Sequence, residues 1–246
     1  MAKRYKEPPV IEAICEFRFQ PDPPWDLAIP GLLYSKLRDD FPKRRRASSH
    51  EATRLEGPEG IEQQWTQVEK LQLVQEDEKA IVQVSPYLLA VNRLRPYPGW
   101  EQFLPLVSKS LSAYQEVASP KGLQQITVRY INRFNLESSV PLEDYFDFYP
   151  FTGENLPQRI GSFIVGIQTL FENGRDVLQM EMHTVVSDDP DTYSIVLDLI
   201  YFLGQPGAVG FEDVFGWLDT AHSHIEDVFE GCLKELLRAR FGEVVE

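Results

Sequence analysis

The first strong pattern along the chain is an alternation of apolar and polar residues near its start. In Val10–Phe19 the apolar side chains fall on every second residue, and Glu12, Glu16 and Arg18 lie between them. A period of two is typical of a strand with one buried face. The segment therefore predicts a half-buried strand. After a turn cluster at residues 21–24, residues 25–41 have helical spacing interrupted by Pro30, which predicts one amphipathic helix with a break.

The next hundred residues predict a meander followed by a helix. Residues 43–50 predict a polar loop. Four short segments, residues 63–68, 71–75, 80–84 and 88–95, have strand-like patterns and predict an antiparallel meander. Residues 100–117 then place Phe103, Val107 and Leu111 on one helical face, which predicts an amphipathic helix.

The second half repeats this order of patterns. Strands are predicted at residues 124–136, 161–171, 177–186 and 193–203, a helical turn within 141–148, and a long helix at 211–241. Asn173-Gly174 is a preferred pair for a hairpin turn. We therefore predict an α+β fold of two tandem strand-helix-meander-helix halves with an antiparallel sheet. The halves are residues 1–120 and 121–246 within one compact unit, in a saddle-like arrangement analogous in topology to the TATA-binding protein.

Three segments carry a resemblance to a known family. They are residues 5–13 (YKEPPVIEA), residues 129–133 (RYINR), and residues 217–222 (WLDTAH) together with Phe229. They resemble a sporadically distributed bacterial family of about this length that has no assigned activity. The resemblance implies a single-unit architecture and implies neither a catalytic residue nor a cofactor.

The charge and composition narrow the classes of partner. The 24 Lys and Arg against 38 Asp and Glu give a formal net charge of −14, which argues against nucleic acid as a partner. The sequence has no apolar run of about 18 residues and no signal-peptide pattern at its start, so we expect no membrane span and a cytoplasmic location. Cys15 and Cys232 are too few for a disulfide framework and have no metal-ligand spacing.

Two charged groups have both a functional and a structural interpretation. Asp219, His222 and Glu226 share one face of the last predicted helix and are residue types that ligate metals. We favour instead a boundary histidine anchored by Asp219 or the backbone, because the chain lacks paired His or Cys ligand spacings. The basic run of residues 43–46 has the charge to contact a phosphate backbone, but it is more typical of a solvated loop.

The strand alternation predicts one candidate binding surface. In residues 124–136 the apolar side chains of Ile126, Val128, Tyr130 and Phe134 face the helices, so the two arginines face the opposite side. The predicted surface consists of Glu16, Arg18, Arg129, Arg133, Gln168, Glu181, His183 and Asp198. If the strands predicted at residues 10–19 and 124–136 are neighbours in the sheet, we expect Glu16 to pair with Arg129 or Arg133.

Three functions are compatible with this surface, beside the simple interpretation that antiparallel sheets are often solvated on one side. We predict a non-enzymatic protein that binds a protein partner or a second copy of itself, since arginine among apolar residues is typical of interface centres. The alternative is a metal-dependent hydrolase or nucleic-acid-processing enzyme using Glu181, His183 and Asp198 around a divalent ion. A duplex-binding saddle is the third, and it conflicts with the net charge. No metal or cofactor is assigned.

Overall fold

The computed structural model describes residues 5–57, 60–153, 155–156, 161–187, 189 and 192–242, with side chains in these ranges except at residues 49–67. The described residues form nine strands. They are β1 (Val10–Phe19), β2 (Lys43–Gly57), β3 (Gly60–Val74), β4 (Ala80–Ser85), β5 (Leu88–Leu94), β6 (Leu123–Glu137), β7 (Ile164–Phe171), β8 (Asp176–Val185) and β9 (Thr192–Leu203). All nine belong to one antiparallel sheet in the order β2-β3-β4-β5-β1-β6-β9-β8-β7.

Five α-helices occur in the described part of the chain. They are α1 (Ile29–Leu37), α2 (Trp100–Ala118), α3 (Leu142–Tyr145), α4 (Val214–Cys232) and α5 (Glu235–Phe241). The buried faces of these helices share one apolar core with one side of the sheet. None of these helices is both long and apolar enough to cross a bilayer. None of the described side chains on the opposite side of the sheet belongs to that core, and we call this side the helix-free face.

The strands β1 and β6 are neighbours at the centre of the sheet, the pairing on which the expected Glu16 contact depended. Cys15 lies opposite Val128, and Phe17 lies opposite Ile126. All four side chains are fully buried under the helices. Burial of one such apolar side chain contributes about 1.5–3 kcal/mol, so this seam is a large part of what holds the sheet and the helices together.

The predicted fold of two tandem strand-helix-meander-helix halves is wrong. The structure is a single nine-stranded antiparallel sheet that dominates the molecule, with the helices on one side. β1 hydrogen-bonds to β5 along one edge and to β6 along the other. Local patterns identify most strands, but they carry no information about hydrogen bonds between strands that are distant in sequence, and these bonds join the chain into one sheet.

Several predicted element boundaries are also wrong. Residues 43–50, predicted as a loop, belong to the 15-residue strand β2, and β3 is one continuous strand rather than two. The first helix covers only Ile29–Leu37. The last helix is interrupted at Leu233, where the backbone is extended, because Asp147 N–H donates to the Cys232 carbonyl and Lys234 N–H donates to the Tyr145 carbonyl.

Candidate functional site

A cavity of about 470 Å³ lies where the start of β1 meets α2 and α4. Five separate parts of the chain line it, namely the segment 5–10, residues 97–102, the middle of β6, Leu199 of β9, and α4. Its volume falls within the range of 300–1,000 Å³ typical of small-molecule sites. The cavity therefore has the size of a ligand site.

One wall of the cavity is built by the turn into α2. Gly99 has a φ of 100°, a backbone conformation that glycine adopts without strain, and it places Trp100 at the first position of the helix. The Trp100 ring stacks on His222 at a centroid distance of 4.5 Å, and its indole Nε1–H donates to Asp219 Oδ1 at 2.9 Å. The stacking contact and the hydrogen bond together fix the position of the indole ring.

A chain of polar contacts runs from the core to the cavity through Tyr97, Tyr130, His222 and Glu226. The two tyrosine hydroxyls are 2.8 Å apart, and the Tyr130 hydroxyl is 3.1 Å from His222 Nδ1. His222 Nε2 lies 3.2 Å from Glu226 Oε1. An ionised carboxylate only accepts, so in neutral His222 the proton belongs on Nε2, and Nδ1 accepts from Tyr130.

Both tyrosines of this chain are held in the neutral form. Burial raises the pKa of Tyr97, and it raises the pKa of Tyr130 well above its ordinary value. The negative charge of Glu226 acts in the same direction on both. The two hydroxyls therefore remain hydrogen-bond donors over the physiological pH range.

Asn132 lines the cavity and has one buried polar atom that is unsatisfied within the described part of the chain. Its side chain is almost fully buried, and Nδ2 donates to the Leu197 carbonyl at 3.2 Å. Its Oδ1 has no hydrogen-bond partner among the described residues. A buried acceptor without a partner costs about 1–3 kcal/mol, so this position is poised to accept a hydrogen bond from an added donor.

The charges that line the cavity are of one sign. Glu101, Glu226 and Glu230 line it, and none of the described lining residues is Lys or Arg. Glu230 accepts from the Tyr5 hydroxyl at 2.8 Å and contacts Arg238, which does not line the cavity. The cavity is thus a predominantly acidic environment with aromatic walls.

The eight residues predicted as a binding surface all lie on the helix-free face. The strand register establishes this, because directly paired residues share a face: Glu16 pairs with Thr127, Asp198 with Glu181, and Gln168 with Gln179. Arg18, Arg129, Arg133 and His183 occupy matching positions on their strands. The face is therefore correctly located, while a binding role for it stays a prediction.

The expected pair between Glu16 and Arg129 or Arg133 is wrong, because the register places Thr127 opposite Glu16. Glu16 instead pairs with Arg18 at 2.9 Å. Arg129 forms a bidentate contact with the almost buried Asp198, at 2.5 and 2.9 Å. These hydrogen bonds raise the pKa of the Arg129 guanidinium.

A row of hydrogen bonds also crosses the helix-free face from β2 to β1. It joins Arg45 Nε to Gln72 (2.6 Å), Gln72 to Gln83 (3.0 Å), Gln83 to Asn92 (2.9 Å) and Asn92 to Glu12 (2.7 Å). Each side chain in the row therefore has a hydrogen-bond partner on a neighbouring strand. Much of the basic segment at 43–46 is likewise engaged within the molecule, since Lys43 contacts Glu78 at 3.2 Å and Arg44 lies over the Tyr34 ring.

The structure assembles no metal centre from the residues considered in the sequence. Among the described residues, no three His, Cys, Asp or Glu side chains lie close enough together to hold a metal ion. Glu181 and His183 do approach to 3.2 Å. The predicted anchor of His222 is also wrong, since Asp219 accepts from Trp100, while His222 contacts Tyr130 and Glu226.

Sequence reasoning missed the cavity, although one signal was present. The side of β6 that faces the helices is apolar or aromatic at Ile126, Val128, Tyr130 and Phe134, and Asn132 is the exception in that series. A polar residue on a buried strand face points either to an internal hydrogen bond or to a site. Tyr97 and Trp100 have no comparable signal.

The comparisons with known proteins assign no family to this arrangement. No family model and no curated protein matches the chain.

Proposed function

We propose that this protein binds a small organic molecule in the cavity between β1, α2 and α4. The observations that carry the proposal are the cavity of about 470 Å³ and its lining residue Asn132, whose buried Oδ1 has no hydrogen-bond partner among the described residues. Folded proteins satisfy most buried polar atoms, and a ligand that donates a hydrogen bond would satisfy this one. The cavity also combines apolar walls with a few polar groups, which is typical of ligand sites.

The origin of the lining residues supports the same proposal. Three parts of the chain that are far apart in sequence meet at the cavity: Tyr5 near the start, Tyr130 and Asn132 on β6, and His222 and Phe229 on α4.

The test is a fragment screen by saturation-transfer NMR, using a mixture of small neutral, cationic and anionic aromatic compounds. Gln102 lines the cavity from the exposed first turn of α2, so Gln102→Trp places a bulky ring at its rim with little effect on the core. Ser112→Trp, at an exposed position on the same helix away from the cavity, is the matched control. We expect fragments that bind the wild type and the control and that Gln102→Trp excludes. Absence of any such fragment would overturn the proposal.

A second candidate function is recognition of a protein partner on the helix-free face. The Arg133 side chain is exposed there, and within the described part of the chain its one hydrogen bond runs from Nε to Ser194. Val196 lies opposite it on β9, and a guanidinium with free donors suits an acidic segment of a partner. Arg129 is already hydrogen-bonded to Asp198. We therefore assign recognition of the partner on this face to Arg133.

This candidate is tested by affinity capture with wild-type, Arg133→Glu and Lys234→Glu proteins. Lys234 lies just after α4, away from the sheet, and it gives the same change of charge. A partner with an acidic binding segment that is captured by the wild type and by Lys234→Glu but lost with Arg133→Glu would support the face. An identical set of captured proteins in all three samples would eliminate it.

A further inference from the structure

The polar atoms available in the cavity are predominantly acceptors, and this restricts the class of ligand. Asn132 Oδ1 is an amide acceptor without a partner, and Glu226 and Glu230 present carboxylates. The Glu226 side chain is 40% exposed, and its carboxylate contacts His222. A ligand that matches this set has to donate hydrogen bonds.

The charge of the wall points to a positive ligand. None of the described lining residues carries a fixed positive charge to meet an anion, whereas three glutamates line the cavity. An anionic ligand would lose its hydration and gain repulsion from the glutamates. A neutral ligand would desolvate the carboxylates without compensating them. A cation gains both Coulomb attraction and charge-assisted hydrogen bonds.

The aromatic residues set the shape of the ligand's apolar part. Trp100 is held by Asp219 and His222, and Tyr97 and Phe229 also line the cavity. Aromatic faces attract cations and pack against flat apolar groups. A ring or short apolar chain therefore fits beside Trp100, with a charged end near Glu226.

We propose that the ligand is a primary ammonium compound with an aromatic or aliphatic body. This inference rests on the proposed binding function and adds the chemical class of the ligand. The ammonium group donates to the carboxylates and to Asn132 Oδ1, and the apolar body packs against Trp100. A quaternary ammonium satisfies the charge but has no N–H to donate, so the acceptors would remain unpaired.

The experiment compares four probes of similar size by isothermal titration calorimetry, with the tryptophan fluorescence of the protein as a second readout. The probes are 2-phenylethylammonium, its N,N,N-trimethyl derivative, 2-phenylethanol and 3-phenylpropanoate. We expect 2-phenylethylammonium to bind at least about tenfold more tightly than the alcohol and the trimethyl derivative, a difference of about 1.4 kcal/mol, and 3-phenylpropanoate to bind weakest.

The variants are Glu226→Gln, Glu230→Gln and the control Asp227→Asn. Asp227 is exposed on α4 next to Glu226, does not line the cavity, and loses the same unit of charge. Amine binding should weaken about tenfold with Glu226→Gln, less with Glu230→Gln, whose carboxylate is already bonded, and less than about twofold with Asp227→Asn. Preference for the alcohol, the carboxylate or the trimethyl derivative would overturn the ammonium class, as would amine binding that Glu226→Gln leaves unchanged. In both cases, fragments excluded by Gln102→Trp would leave the cavity itself as a binding site.

Discussion

Two histidines of α4, two residues apart, show how differently the same chemistry is used in this molecule. His222 belongs to the His222 cluster, which we define as Tyr97, Trp100, Tyr130, His222 and Glu226 and which lines the cavity. His224 belongs to the Asp176 cluster, defined as Arg175, Asp176, Tyr201, Trp217 and His224. Each histidine contacts a tyrosine hydroxyl from the central part of the sheet through Nδ1, at 3.1 Å in both cases.

The Asp176 cluster is closed. Asp176 is fully buried and accepts from the Tyr201 hydroxyl (3.1 Å), from Trp217 Nε1 (3.0 Å) and from Arg175 (2.6 Å). The Tyr201 hydroxyl donates to the carboxylate, so its oxygen accepts from His224 Nδ1–H, and His224 has the opposite tautomer to neutral His222. Every member has a partner, as expected of a structural network.

The difference between the two clusters indicates which of them has a binding role. In the Asp176 cluster three donors satisfy the buried carboxylate, and none of the five residues lines the cavity. The His222 cluster borders a cavity, ends at the partly exposed Glu226, and lies beside the unpartnered Asn132 Oδ1. We infer that the first cluster stabilises the fold and that the second contributes to binding.

The largest expected effect is a difference in stability between variants that lack the Asp176 carboxylate and variants that lack the Glu226 carboxylate. Asp176→Ala leaves the donors of Arg175, Tyr201 and Trp217 unpaired in the core, and we expect it to lower the free energy of unfolding by about 3–5 kcal/mol. Glu226→Ala removes a partly exposed group and should change it by less than about 0.5 kcal/mol. Urea unfolding followed by circular dichroism measures both. Equal losses would remove the distinction between the clusters.

A smaller difference is expected between the two tyrosines. Tyr201→Phe removes one of the three donors to Asp176 and the hydroxyl that His224 contacts, and it should cost about 1–3 kcal/mol. Tyr130→Phe should cost about 1 kcal/mol, because water in the cavity can reach His222. Thermal unfolding of both variants tests this order, with Tyr34→Phe as the control because the Tyr34 hydroxyl makes an exposed hydrogen bond to the Pro42 carbonyl. A larger loss of stability for Tyr130→Phe would show that the His222 cluster contributes more to the stability of the fold than the Asp176 cluster does.

On the helix-free face the comparison is between two arginines. Arg129→Ala leaves Asp198 almost buried without its partner, and we expect a loss of about 1–2 kcal/mol, reduced because the Arg129 side chain is partly exposed. Arg133→Ala should cost less than about 0.5 kcal/mol. Urea midpoints for both variants provide the measurement, and equal values would contradict the assignment.

Tyrosine ionisation has the smallest effect on stability near neutral pH, and this effect increases at alkaline pH. Burial raises the pKa of Tyr97, Tyr114, Tyr130 and Tyr201 in the folded chain above the ordinary value of 10.0. Their neutral forms are favoured on folding, so this stability is complete below pH 10 and decreases as the pH rises above it. Tyrosinate absorbance should show these four titrating only as the protein unfolds. Full titration in the folded state near pH 10 would contradict this.

Part of the fold could be predicted from the sequence. The alternation in β1 and β6 identified both strands and the side of the sheet that each residue faces, because side chains of a strand point alternately to two faces. The single continuous sheet could not be predicted, since it depends on hydrogen bonds between strands far apart in the chain. The strand character of residues 43–50 was hidden by their polarity, because β2 is an edge strand and four of its residues 43–48 are exposed.

The site was less predictable than the fold. Asp219, His222 and Glu226 were identified as a group from helical spacing, but their true partners, Trp100 and Tyr130, come from other parts of the chain. Only tertiary packing brings these residues together. Asn132 was the one position at which the pattern itself indicated something unusual.

The most direct test of the account is a crystal structure of the wild-type protein soaked with 2-phenylethylammonium. We predict density for the amine in the cavity, with its nitrogen about 3 Å from a carboxylate oxygen of Glu226 or Glu230 and its ring against Trp100. A cavity that contains only water, with the amine absent or bound elsewhere on the protein, would contradict the account.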